Sequence, residues 1–468
     1  MTDGTSDAPA QPETPPQGLA SRRAAFRALR RVAEHAAYSP PVVQRAVANL
    51  PLRERPFTAN LVYETLRWRG TLDWALGQVL TRPIDEVEPP LRDLLRMGAW
   101  QILYGRVADR AAVDTAVELA RGEIGEHVAG FTNGVLRNLV RRKDTLPWPP
   151  AGDDRGLALA TGYPEWIAAE ARARFGDRAR AVLDAGNDSP GVTLRAVARP
   201  GEDAAAVRDA LVEELRATGV AAEAGRWAPE AVRAPGADPA ALAAVREGRA
   251  TPQDEASMLV VGALARALAQ VGGSGERVAD LCAAPGGKTT HLAQLGFRVT
   301  ALDVMPQRVR MVAEAAGRLG VQDRVEAREA DARRHGLPAE SFDAVLLDAP
   351  CSGLGVTRRR PEIRWRRDAA DPARLAALQL ELLAAAVPLV RPGGVLLYSV
   401  CTWPRSETAE VADAFMAMEG DRFAALDTAA LLPSGAGEVL PGDHGVQLSP
   451  DTDGTDGMYL FGVQRLSG

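Results

Sequence analysis

From Gln253 to the end of the chain, short apolar runs alternate with amphipathic stretches, and this alternation constrains the fold more than any other feature. Candidate strands are Arg277–Leu281, Val299–Leu302, Ala344–Leu347 and Val395–Val400, with helices expected between them, as at Gln307–Leu319 and Pro372–Val390. Apolar strands this short are buried on both faces, and parallel neighbours need a crossover between them. The pattern therefore predicts an α/β, Rossmann-like fold over 253–466, with a doubly wound, mostly parallel sheet. Met458–Val463 is expected as a late edge strand.

The segment 20–145 has a different period. Leu72, Leu76, Val79 and Leu80 recur at helical spacing, as do Leu91, Leu94, Leu95 and Ile102. Pro40-Pro41, Pro83 and Pro89-Pro90 divide the run into short helices, so an all-helical bundle is expected. Leu146 to Asp154, rich in Pro, reads as a linker. The Ala-rich stretch 156–250 suggests a small mixed α/β region, with a strand at Val192–Val197 and a helix at Ala204–Ala217 capped by Asp203. Residues 1–18 are expected to form a disordered leader; they lack the basic start and apolar core of a signal peptide. With no apolar run approaching the ~20 residues of a membrane span, a cytoplasmic protein without a membrane partner is expected, and a monomer.

Three cysteines, Cys282, Cys351 and Cys401, make no disulfide framework, and neither they nor the histidines have metal-ligand spacing, so no metal is expected. The net charge of -6 weighs against a nucleic-acid partner, but phosphate binding depends on where cations cluster. Lys143 and Lys288 are the only lysines.

Lys288 lies in Asp280-Leu-Cys-Ala-Ala-Pro-Gly-Gly-Lys-Thr289, which follows an apolar strand and opens a helix. Gly286 and Gly287 allow close backbone approach to a ligand, the arrangement that cradles nucleotide-like cofactors. It is not a phosphate-binding P-loop, which needs Gly where Cys282 stands. Asp303, ending the next strand, suits a ribose diol or a helix N-cap; Asp331 falls where a third strand should end, as a cofactor contact or a solvated acid. Leu347-Asp-Ala-Pro-Cys-Ser-Gly353 and Tyr398-Ser-Val-Cys-Thr402 each place a cysteine just past a strand, where open α/β sheets bind ligands. A lone buried cysteine is usually inert; two at neighbouring strand ends of one cofactor-binding sheet point to chemistry.

These three segments resemble motifs I, IV and VI of the RNA cytosine-5 methyltransferases, the NOL1/NOP2/Sun family. The likeness continues in Gln253-Asp-Glu-Ala-Ser257, in Gly355–Trp365 and in Gly454-Thr-Asp-Gly457. Ala59–Trp68, Leu94–Ile102, Ala112–Leu119 and Phe131–Arg137 are similar to the NusB-type RNA-binding bundle, and that bundle ahead of this methyltransferase is the arrangement of the RsmB (Fmu/Sun) branch acting on 16S ribosomal RNA. The resemblance implies a class I methyltransferase domain, S-adenosylmethionine as cofactor and 16S RNA as partner. It places the cofactor on Cys282, Ala283, Ala284, Pro285, Gly286, Gly287, Lys288, Asp303, Arg308, Asp331 and Asp348. It implies that Cys401 is the nucleophile adding to carbon 6 of cytosine, Cys351 the residue assisting release, and Asp348 a partner for the ring N3 and amino group. Pro350-Cys351 is also similar to the Pro-Cys of DNA cytosine methyltransferases, so the reverse assignment stays open. Arg405-Ser-Glu-Thr408 departs from the family's Pro-Glu-Glu-Asn, and Asp456-Gly-Met-Tyr459 from its Asp-Gly-Phe-Phe.

Arg358, Arg359, Arg360, Arg364 and Trp365 follow Cys351 closely and are expected to contact RNA, guanidiniums on phosphate and the indole on a base. Arg22, Arg23, Arg27, Arg30 and Arg31 suggest a second basic patch. Two alternatives remain: the same reaction on transfer RNA or another ribosomal site, or a non-catalytic RNA-binding assembly or antitermination factor. The latter would show an eroded Gly loop or a missing cysteine, and both are intact.

Overall fold

The computed structural model describes residues 18–150, 152–272 and 275–467. The expected leader lies outside these residues, apart from Gly18. The chain divides into two compact units, 1–165 with 360–362, and 166–359 with 363–468.

The first unit is helical, with helices at Leu19–Glu34, Ser39–Val47, Arg55–Arg67, Arg69–Gly77, Pro89–Leu103, Asp109–Glu123, Ala129–Arg142 and Asp154–Thr161. Pro40, Pro41, Pro89 and Pro90 sit in first turns, where a missing N–H costs nothing. Leu72, Leu76, Leu94 and Leu136 are fully buried in its core. Gly98 lets two helices close, since an added Cβ would stand 2.8 Å from Leu136 Cδ1. Glu362 belongs to this unit and accepts from Ser39 N and Oγ at 2.9 and 2.6 Å, a carboxylate at a helix N-terminus. The expected basic patch on the first helix is largely neutralised. Arg22 is buried on Gln101, Arg23 and Arg27 pair with Glu123, and Arg30 pairs with Asp93 and Glu34.

The second unit opens with the helices Glu165–Phe175 and Ala179–Ala185, followed by a small antiparallel sheet of β1 (Val192–Ala196), β2 (Glu223–Ala224), β3 (Ala231–Ala234) and β4 (Ala250–Pro252), in the order β2-β3-β1-β4. The helix Ala204–Ala217 accompanies it, and Asp203 caps that helix by accepting from Ala205 N and Ala206 N. A larger sheet follows. Its strands are β5 (Arg277–Asp280), β6 (Arg298–Asp303), β7 (Val325–Glu329), β8 (Phe342–Asp348), β9 (Val390–Val400), β10 (Phe423–Ala425), β11 (Val446–Leu448) and β12 (Met458–Arg465). The order is β10-β12-β9-β8-β5-β6-β7, with β11 on β12. The pairs among β5, β6, β7, β8 and β9 are parallel, and β12 is antiparallel to β9.

Helices cover both faces. Glu255–Gln270 buries Met258, Leu259, Val261 and Leu264 in one core, and Asp371–Ala386 buries Leu382, Leu383 and Ala386 in the other. The segment Asp371–Leu389 is apolar and long enough to cross a membrane by length and composition alone, closer to that threshold than the sequence reading allowed; here its apolar face packs on β8 and β9. The placement of β12 is a correction. Met458–Val463 is not an edge but lies between β9 and β10, and its six residues are buried because sheet neighbours and helices enclose them.

Candidate active site at the strand ends

β5 delivers Asp280 to the start of the Gly loop. Asp280 Oδ2 accepts from Thr289 Oγ1 at 2.6 Å, tying the strand end to the first turn of the helix Gly287–Gln294. Burial pushes the Asp280 carboxyl up to about 7, against the Thr289 hydrogen bond. Between them the chain turns tightly: Ala283 N donates to Leu302 O at 2.9 Å and Gly286 N to Ala283 O at 2.8 Å. Gly286 has φ +100°, and a Cβ there would meet Val312 Cα at 3.1 Å, so only glycine fits. Cys282 faces away from thiolate chemistry: burial, with Asp280 and Asp348 near, pushes its thiol far up.

β6 ends at Asp303, 6% exposed. Its Oδ1 accepts from Met305 N at 3.1 Å, while Oδ2 has the Arg308 guanidinium at 3.8 Å, beyond hydrogen-bond reach. One carboxylate oxygen thus orders the turn into the next helix, and the other makes only the longer ion pair with Arg308. Glycine loop and acid together have the chemistry to fit a nucleoside-bearing methyl donor. Asp331, past β7, is tied to Arg333 through backbone and side chain, which holds its carboxyl down at about 2.

The parallel register sets Asp348 of β8 opposite Ser399 of β9. Ser399 Oγ donates to Asp348 Oδ1 at 2.9 Å, and Lys288 Nζ donates to Oδ2 at 2.6 Å. Just beyond the two strands, Cys351 Sγ and Cys401 Sγ lie 3.3 Å apart, with no disulfide between them. The contact with Cys401, then burial, push the Cys351 thiol well up. Burial pulls the Lys288 ammonium down, but Asp348 more than offsets this, with Cys401 and Asp280 adding, and leaves it raised.

The turn after Cys351 is held from several sides. Ser352 N donates to Glu407 Oε1 at 2.8 Å, and Arg367 donates to Cys351 O and Ser352 O, both at 3.1 Å. Gly355 N donates to Cys401 O at 3.0 Å, and a Cβ on Gly355 would sit 2.0 Å from Gly457 O, which accounts for both glycines. Gln379 donates to Glu407 Oε1 and to Pro350 O, and Tyr398 OH bonds Gln379 Oε1. Ser399, Arg367, Gln379 and Glu407 were not given roles from sequence. Two carry a signal in the sequence: Ser399, by its place between Tyr398 and Cys401, and Glu407, which matches a glutamate of the family's Pro-Glu-Glu-Asn segment.

The expected RNA contacts need correction. Arg358 and Arg359 point inward: Arg358 bonds Asp456 and Gly454 O, and Arg359 bonds Asp254, Asp456 and Gly191 O. Arg364 is fully buried and donates to Gly186 O at 2.9 Å. These guanidiniums neutralise buried acids or satisfy buried carbonyls; Arg358 and Arg364 are buried away from phosphates, whereas the Arg359 side chain is 26% exposed. Trp365 is half-buried. Arg360, in the helical unit, is the exposed member of the run and lies 4.7 Å from the Tyr38 ring centroid. Among the described residues no group of three or more His, Cys, Asp or Glu could hold a metal ion.

Comparison with known proteins agrees with this geometry. Residues 268–463 match the family model described as 16S rRNA methyltransferase RsmB/F, residues 19–141 the NusB family, and 163–238 the ferredoxin-like domain of RsmF/B-like methyltransferases. A Mycobacterium tuberculosis chain described only as a methyltransferase is 43% identical over 465 residues, 96% of this chain and 97% of that one. The ribosomal RNA small subunit methyltransferase B of Pseudomonas putida is 33% identical over 451 residues, 95% of this chain and 98% of that one. Among solved structures, a methyltransferase homolog protein from Pyrococcus horikoshii, 26% identical, matches with TM-score 0.54 over 66% of this chain and 98% of its own. Near-full-length relatives at this identity, together with the loop, the acid and the strand-end cysteines, place the chain in the RsmB/F family of S-adenosylmethionine-dependent ribosomal RNA methyltransferases.

Proposed function

We propose that the protein methylates carbon 5 of a cytosine in 16S ribosomal RNA, in the cytoplasm, with Cys401 as nucleophile, Cys351 as the residue assisting release and Asp348 as the group for the ring N3 and amino edge. The observation that carries this is the 3.3 Å approach of the two sulfurs beside the Lys288–Asp348–Ser399 cluster. Carbon 5 of cytosine is a poor nucleophile. The Cys401 thiolate adds to carbon 6, and the ring becomes enamine-like and nucleophilic at carbon 5. S-adenosylmethionine, when bound, supplies an electrophilic methyl on a sulfonium. The carbon 5 proton then leaves to a base, the carbon 6–sulfur bond breaks, and its electron pair returns to sulfur as the 5,6 double bond re-forms.

Electrostatics support this division of labour. The Lys288 ammonium interacts with Cys401, and a neighbouring cation favours a thiolate, whereas the contact with Cys401 and burial push the Cys351 thiol well up. Cys351 can then serve in releasing the product rather than competing for carbon 6. The names of the relatives support 16S RNA over transfer RNA. Cys282 to Lys288, Asp303, Arg308, Asp331 and Asp348 form the proposed donor site, and of the predicted RNA contacts only Arg360 and Trp365 are retained. To reach two thiols in a strand-end pocket, the cytosine leaves its stack.

The test uses methyl-labelled S-adenosylmethionine and 16S RNA with the full chain. Label at carbon 5 of cytosine is expected; folded protein that leaves carbon 5 unlabelled refutes the reading. Cys351→Ala is expected to accumulate a covalent RNA adduct and Cys401→Ala to form none, and the opposite pattern reverses the two roles.

A further inference from the structure

The small sheet of β1 to β4 has no part in the chemistry above, yet one of its side chains reaches the Gly loop. Arg195 of β1 is fully buried. Its guanidinium donates to Gly287 O at 2.7 Å, to Thr290 Oγ1 at 3.0 Å, and to Gln253 Oε1. Thr290 in turn donates to Gly286 O at 2.7 Å. Arg195 therefore holds, directly or through one hydroxyl, the carbonyls of both loop glycines. A second tie lies one residue along: His291 Nε2 is 3.0 Å from Glu230, which immediately precedes β3. A third joins the helix Pro306–Arg318, which follows Asp303, to β4 through Arg318 and Thr251 Oγ1 at 3.0 Å.

Arg195 makes no ion pair among the described residues; its acceptors are neutral oxygens. A guanidinium buried in this way adds little net stability, because its desolvation offsets what the hydrogen bonds return. Its planar set of donors does fix the relative positions of several acceptors at once. Here those acceptors are the turn and first helical residues that form the proposed donor cradle.

We infer that Arg195 is a positioning residue for S-adenosylmethionine, holding the Gly286–Gly287 turn in its binding geometry, and that the β1–β4 sheet serves as the brace from which it does so. The inference rests on the reading of Cys282 to Lys288 as the donor's cradle. It does not depend on which base is methylated.

Calorimetry of S-adenosylmethionine binding to the full chain tests it, with binding of a 16S RNA fragment measured in parallel. Arg195→Met is expected to weaken donor binding about tenfold, the scale of losing one or two hydrogen bonds from a charged group. RNA affinity is expected to stay as in the wild type, and Arg195→Lys to recover part of the loss. Unchanged donor affinity in folded Arg195→Met overturns the inference. So does an equal loss of donor and RNA affinity, which marks general damage. If Arg195→Met does not fold, Thr290→Val removes the bridging hydroxyl with little change of volume. It is expected to weaken the donor about threefold, and no change refutes the role of Arg195. Wild-type protein that binds no S-adenosylmethionine sinks the cradle reading itself, a result distinct from all of these.

Discussion

Glu407 offers a prediction whose size follows from its surroundings. The residue is fully buried. Oε1 accepts from Ser352 N and Gln379 Nε2, while Oε2 is buried with no hydrogen-bond partner among the described residues. Burial pushes the carboxyl from an ordinary 4.5 up to about 7, against the pull of the Ser352 and Gln379 hydrogen bonds. A raised carboxyl binds its proton more tightly folded than unfolded. Below the unfolded value both states are protonated and nothing is lost. As pH climbs from 4.5 to about 7 the folded state is progressively disfavoured, and above that the penalty is constant. Raising the carboxyl from 4.5 to about 7 corresponds to about 3 kcal/mol. Glu407→Gln removes the titration and keeps the Oε1 acceptor. Its amide N–H groups have no acceptor ready, at a cost of roughly 1–3 kcal/mol that does not vary with pH. The difference between pH values is therefore the diagnostic. Urea unfolding followed by circular dichroism is expected to show the variant gaining on the wild type by about 2–3 kcal/mol between pH 5 and pH 8. Parallel pH profiles for the two proteins would refute the reasoning, because Glu407 would then not be the buried acid that titrates.

Three further variants test the same structure. Arg358→Met, which strips a buried guanidinium from Asp254 and Asp456, is expected to cost about 3–5 kcal/mol in stability and to leave RNA affinity per folded molecule unchanged. Arg360→Ala is expected to do the reverse, and paired denaturation and RNA-binding measurements decide. Lys288→Met removes the cation beside Asp348 and Cys401, so methyl transfer is expected to fall by about 10² or more; a thiol-alkylation profile in which the onset of Cys401 reactivity moves to higher pH would identify thiolate stabilisation as the reason.

The parts of this protein that its sequence determined are those set by local periodicity and local geometry. Apolar runs of strand length located β5, β6, β8 and β9 to within a few residues at most ends, although β9 begins five residues earlier than expected. Asp203 marked its helix start, and the strand-end positions of Cys351 and Cys401 were readable from the sequence alone, because where a strand stops is written next to the residue concerned. What only the tertiary structure decided is partner choice across distance in the chain. A run of arginines looks the same whether it faces solvent or buried acids; Arg358 and Arg359 turned inward because Asp254 and Asp456, about 100 residues away on either side, come to meet them. β12 became an interior strand because β10 pairs on its far side. Arg195 reached the Gly loop from 92 residues upstream of Gly287. Secondary structure follows from neighbours in sequence, whereas burial of a charge is tolerated only where folding supplies its counterpart, and that counterpart has no fixed spacing to read.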